Sequence, residues 1–185
     1  MHRLIQPYLF AFLLGSLACT DNKESDTGTT ASDTDGNDGD AQIIPTEGEF
    51  EFYGQDFSTD ECNITGWLSE PTHFETSEIS ADGFVMSVYD GGAPVGQGDV
   101  QCTYSGDQTY GCEAIEDGGM MSSGTNVTLL GVYTLVMSDE ASASGTCDLT
   151  IECEGDGCGS FAQSNTNSGA FPCNSVQDWS AGLVE

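Results

Sequence analysis

TNVTLLGVYTLVM, residues 125–137, places Val127, Leu129, Tyr133, Leu135 and Met137 on one face of an extended chain, with Gly131 among them. Alternation of apolar and polar positions over this length is the signature of a half-buried strand. Gly131, lacking a side chain, is expected to mark a bend or bulge in it. The polar stretch 138–145 then turns the chain. CDLTIEC, residues 147–153, sets Cys147, Leu149, Ile151 and Cys153 on one face and Asp148, Thr150 and Glu152 on the other. The two segments form a hairpin with one wet face.

Outward from this hairpin the same period recurs. Phe84, Met86 and Val88 alternate, then Val100, Cys102 and Tyr104, then Tyr110, Cys112 and Ala114. No stretch sustains a helical period for long, although short helical turns are expected near residues 72–77 and 174–179. Several short strands joined by Gly-rich turns predict an all-β domain over residues 48–185. The expected form is an antiparallel meander, closed as a small barrel or folded as a sandwich and stapled by disulfides. About 140 residues suffice for one core.

Preceding this domain, residues 20–47 hold mainly Asp, Ser, Thr, Gly and Asn, with almost nothing apolar before Ile43 and Ile44. Such a composition buries too little to fold and is expected to serve as an acidic tether. Asp33, Asp35, Asn37, Asp38 and Asp40 resemble a calcium loop only superficially. An EF-hand starting at Asp33 requires Gly at its sixth place and Glu at its twelfth, where Asp38 and Ile44 stand.

His2 and Arg3, then the apolar run Tyr8–Leu14, compose a secretory signal over residues 1–18. The run is shorter than the roughly 20 residues a spanning helix needs. Ser16-Leu17-Ala18-Cys19 resembles the lipobox of bacterial lipoproteins, with Ser16 where that family usually carries Leu. The resemblance implies lipidation of Cys19 with palmitate-type chains. It also implies a membrane partner through that anchor, in the cell envelope at the outer membrane. The same departure makes Ser16-x-Ala18 a fair site for ordinary secretion, while a cysteine at the end of the apolar run and before a long polar tract favours lipidation.

Cys62, Cys102, Cys112, Cys147, Cys153, Cys158 and Cys173 lie in the domain. In an exported chain they are expected to be oxidised. Cys102 and Cys112 flank a turn and are expected to pair. Cys158 with Cys173, and Cys62 with Cys147, complete the expected set. The spacing Cys147-x5-Cys153-x4-Cys158 is not that of a zinc knuckle, and no metal site is assigned.

Charge excludes more than it assigns. There are 31 acids against two basic residues, a formal net charge of −29. The bases are Arg3 and Lys23, so residues 48–185 contain neither Lys nor Arg, yet hold 23 of the acids. Nucleic acid would find no cationic surface there. Arg clamps and Lys Schiff-base chemistry are equally unavailable. Weak calcium association at Glu113, Glu116 and Asp117, or at Glu152, Glu154 and Asp156, is the only cofactor expectation.

His73 is the one histidine beyond residue 2, and no Gly-x-Ser-x-Gly elbow offers it a nucleophile. It is expected at a loop or strand edge near carboxylates. The expected function is a non-catalytic interaction or structural domain of an exported, envelope-anchored protein. The alternative is a small barrel binding an apolar or carbohydrate ligand, lipocalin-like by analogy, with Phe50, Phe52, Tyr53, Phe57, Trp67 and Phe84 as candidate lining. A carboxylate-dependent hydrolase ranks below both.

Overall fold

The computed structural model describes residues 41–66, 68–121 and 125–184. Their strands are β1 (Gly48–Asp60), β2 (His73–Ser77), β3 (Gly83–Asp90), β4 (Ala93–Pro94), β5 (Val100–Gly106), β6 (Thr109–Cys112), β7 (Ile115–Met121), β8 (Thr125–Asp139), β9 (Ser142–Glu154) and β10 (Cys173–Leu183). A 3-10 turn covers Ile64–Gly66, and the helix α1 covers Cys158–Asn165. Among the described residues no helix is long and apolar enough to cross a membrane.

All ten strands belong to one antiparallel sheet, in the order β2-β1-β10-β9-β8-β6-β5-β3-β4, with β7 on β8 and a further pairing of β2 with β3. The expected plain barrel is corrected, to a ten-stranded antiparallel sheet with one short helix and three disulfides. The departure lies beside β8, whose one flank is shared by two strands. β6 pairs with residues 134–136 and β7 with residues 125–131, because the chain leaves strand geometry at Glu113 and Ala114. β4 is a two-residue addition to β3.

The hairpin of β8 and β9 forms as its alternation dictates, Tyr133 opposite Cys147 and Leu129 opposite Ile151. Its irregularity falls between Met137 and Asp139, not at Gly131, which pairs in register with Leu149 and with Ile115. The two expected helical turns are strands. β2 buries Phe74 and Thr76, and β10 buries Ser175, Gln177, Trp179 and Ala181, which is period 2 in both. The helix that does form, α1, buries only Ala162, so it offers no apolar stripe by which it could be foreseen.

Two apolar clusters fill the interior side. The larger contains Phe50, Phe74, Phe84, Tyr110, Leu135 and Trp179. Trp179 meets Phe52 edge-on at 5.4 Å and Phe74 at 5.9 Å, while Phe50 and Phe74 stack at 5.0 Å. The smaller gathers Cys62, Ile64, Val127, Ile151 and Cys173, with Phe161 and Phe171 against it.

Disulfides join Cys62 to Cys173, Cys102 to Cys112 and Cys153 to Cys158, and Cys147 is a buried thiol. Two expected pairings are thereby corrected. β1 and β10 run antiparallel with Asp60 opposite Ser175, so two residues after Asp60 and two before Ser175, Cys62 meets Cys173 and not Cys147. Cys158, at the start of α1, turns back on the end of β9, where Cys153 lies 5.8 Å away between Cα atoms. Its amide donates to Gly155 O at 3.3 Å in that turn.

Residues 41–46, which fall within the expected tether, are bound to the domain. Tyr110 Oη donates to Ile43 O at 2.7 Å, Gln42 Nε2 to Ala81 O at 2.7 Å, and Thr46 N to Glu140 O at 2.8 Å. This strap crosses the end where β3 begins and β8 ends.

Candidate functional site

At the other end of the strands the interior is not filled. A cavity of about 230 Å³ lies among residues of β1, the segment 64–71, β3, β4, β7, β8, β9 and β10. Its apolar wall includes Phe57, Ile64, Leu68, Leu129, Tyr133 and Leu149, drawn from both clusters and the side chains packed on them. Gly131 lines it too. A Cβ there would stand 3.4 Å from Leu149 Cδ2 and 3.5 Å from Cys147 Sγ. The residue expected to bend the strand instead leaves space inside it.

Polar groups at this cavity are few, and two are held in place. Gln177 is 4 % exposed, and its Nε2 donates to Gln55 Oε1 at 3.3 Å. Gln55 Nε2 in turn donates to Pro71 O at 2.7 Å. The hydroxyl of Ser69 donates to the carboxylate of Asp90. Glu70 and Asp117 add two more acids to the lining, and no cationic side chain is present in it. An apolar wall with a small set of fixed polar groups is the ordinary form of a small-molecule site.

Behind the wall sits Cys147, paired in the sheet with Tyr133 on one side and Gln177 on the other. Burial pushes its thiol up to about 12, and the Tyr133 hydroxyl, a donor to the sulfur, pulls it back only in part. The phenol of Tyr133 is raised well above its ordinary value, first by burial and then by the charge and hydrogen bond of Cys147. Burial holds both groups in their neutral forms at neutral pH, which disfavours either as a nucleophile or base.

The aromatics singled out in the sequence divide. Phe57 lines the cavity; Phe50 and Phe84 are buried in the larger cluster, with Phe52 packed on it; Tyr53 is 72 % exposed. Trp67 and Cys19 lie outside the described residues. Tyr133, Gln177 and Gly131 were missed, and only the alternation that turns residues 131 and 133 inward could have pointed to them. Among the described residues, neither expected calcium cluster brings its three acids together. The group that does converge is Glu49, His73 and Glu75, each offering a ligand atom within 4.8 Å of the others.

No family model, curated protein or solved structure matches the chain. The lipoprotein and membrane-anchor expectations thus find no support from a relative, and they are not carried further.

Proposed function

We propose that the domain is a non-catalytic, exported binder of a small apolar ligand that is neutral or carries a positive charge. The observation that carries this reading is the apolar cavity with Gly131 in its wall and Gln177 as a buried, oriented amide. An apolar cavity of about 150 Å³ suffices for benzene. A volume of about 230 Å³ suits a fused bicyclic ring. Asp90, Glu70 and Asp117, unopposed by any Lys or Arg of residues 48–185, disfavour an anionic ligand and favour an ammonium group beside the ring. Export is supported by the signal-like residues 1–18 and by the three disulfides.

Indole, tryptamine and indole-3-acetate share one ring and differ in charge, so calorimetry with the three separates shape from charge. Indole and tryptamine are expected to bind, and indole-3-acetate at least about tenfold more weakly than tryptamine, a difference of about 1.4 kcal/mol. Leu129→Phe, which fills the cavity, is expected to abolish binding with little change in the melt. No binding of any of the three, or equal binding by Leu129→Phe, would return the domain to a purely protein-interacting role.

A further inference from the structure

His73 on β2 lies opposite Glu51 of β1, and Glu75 lies opposite Glu49. Cross-strand partners and alternate residues share a face, so these four side chains project on the outer side, away from buried Phe50 and Phe74. Acids directly opposite each other, as Glu49 and Glu75 are, destabilise a sheet unless a cation joins them. Residues 48–185 supply no Lys or Arg to do so.

The histidine is held in a ligand-like orientation. Tyr89 of β3 stacks on its ring with centroids 4.8 Å apart and planes 7° from parallel, and the Tyr89 hydroxyl donates to Glu75 Oε2 at 3.3 Å. Thr72 Oγ1 lies 3.0 Å from His73 Nδ1. That hydroxyl donates its single hydrogen to Tyr89 O at 3.4 Å and accepts from Gly91 N at 3.2 Å. The 3.0 Å contact engages Nδ1, and in the tautomer whose Nδ1–H donates to Oγ1 the lone pair of Nε2 is left for a metal. A hydrogen bond that fixes the distal nitrogen in this way is the usual outer partner of a metal-binding histidine.

We propose that Glu49, Glu75 and Nε2 of His73 form a site for a divalent first-row transition metal, with zinc the best match. One imidazole and two carboxylates are a borderline donor set that suits zinc over calcium or magnesium, which take oxygen ligands. Three protein ligands on two paired strands leave a further position for water. The site is on the outer face and independent of the cavity. It departs from the sequence analysis, which assigned no metal, because Glu49 stands 24 positions from His73.

The test uses the full chain with its disulfides intact and zinc alone as the probe. Sodium chloride at about 0.15 M confines diffuse attraction to about 8 Å, and excess magnesium occupies non-specific carboxylates. One zinc per chain is expected, with a shift of the His73 ring resonances on addition. His73→Ala and Glu75→Gln are each expected to weaken binding at least about tenfold. Glu113→Gln, remote from the site, should leave it unchanged. Equal zinc affinity in His73→Ala and the parent, displacement of zinc by magnesium, or an unmoved His73 signal would each overturn the proposal; Glu75→Gln carries the same comparison if the alanine variant folds poorly.

Discussion

Cys147 shows how a single buried position governs behaviour that its residue type alone does not predict. Its thiol is raised from the ordinary 9.0 to about 12 by burial in the sheet between Tyr133 and Gln177. A folded value above the unfolded one means that the native state favours the protonated form. The associated stability is complete below about pH 9 and is lost as the pH rises through about 12. A loss of about 2–3 kcal/mol between pH 9 and pH 11 is expected in urea unfolding, with Tyr133 adding to it at the upper end. Cys147→Ala should lower stability at pH 8 yet flatten the alkaline fall; an equally steep fall in that variant would assign the effect elsewhere. Iodoacetamide at pH 8 should leave Cys147 untouched until the chain is unfolded. In the sequence this cysteine was indistinguishable from its neighbours. Its alternation with Leu149 and Ile151 placed it inward, but only the pairing of other cysteines leaves it unbridged.

At the scale of elements, what was legible was local. β8 and β9 follow from period 2 within a hairpin, and the partnership of Cys102 with Cys112 follows from their opposing places across one turn. The pairing of β1 with β10 leaves no mark in either strand, and Cys62–Cys173 depends on it. Gln177 was invisible as a lining residue for the same reason, since it reaches the cavity from β10. The disulfides should differ in weight accordingly. Cys62–Cys173 spans 111 positions and Cys153–Cys158 spans 5. On loop closure alone these are worth about 4.8 and about 2 kcal/mol. Replacing both cysteines of the first pair by Ala should therefore cost about twice as much, in denaturant unfolding, as replacing both of the second. Equal losses would mean that contacts near each bridge, not chain restriction, set its effect.

For the whole molecule, like-charge repulsion opposes folding without an answering Lys or Arg in residues 48–185. The 23 acids of residues 48–185 meet no Lys or Arg of that segment, so folding draws like charges together. Raising sodium chloride from about 0.01 M to about 0.1 M shortens the screening length from about 30 Å to about 10 Å. The melting midpoint, with disulfides intact, should rise over that range. A midpoint that stays level or falls would mean that repulsion does not limit stability, and a rise confined to zinc would point back to Glu49, His73 and Glu75.

The union of β1 with β10 also sets a timetable. A ribosome delivers the chain from its N-terminus at about 5–20 residues per second, so Ser175, the partner of Asp60, follows it by roughly 6–23 s. For that interval one edge of β1 is bare, a template on which two nascent chains could add strand to strand. Glu49, Glu51, Asp56 and Asp60 are spaced along it. Like-charged edges repel one another, so the acids act as gatekeepers against premature partners and fall silent once β10 arrives.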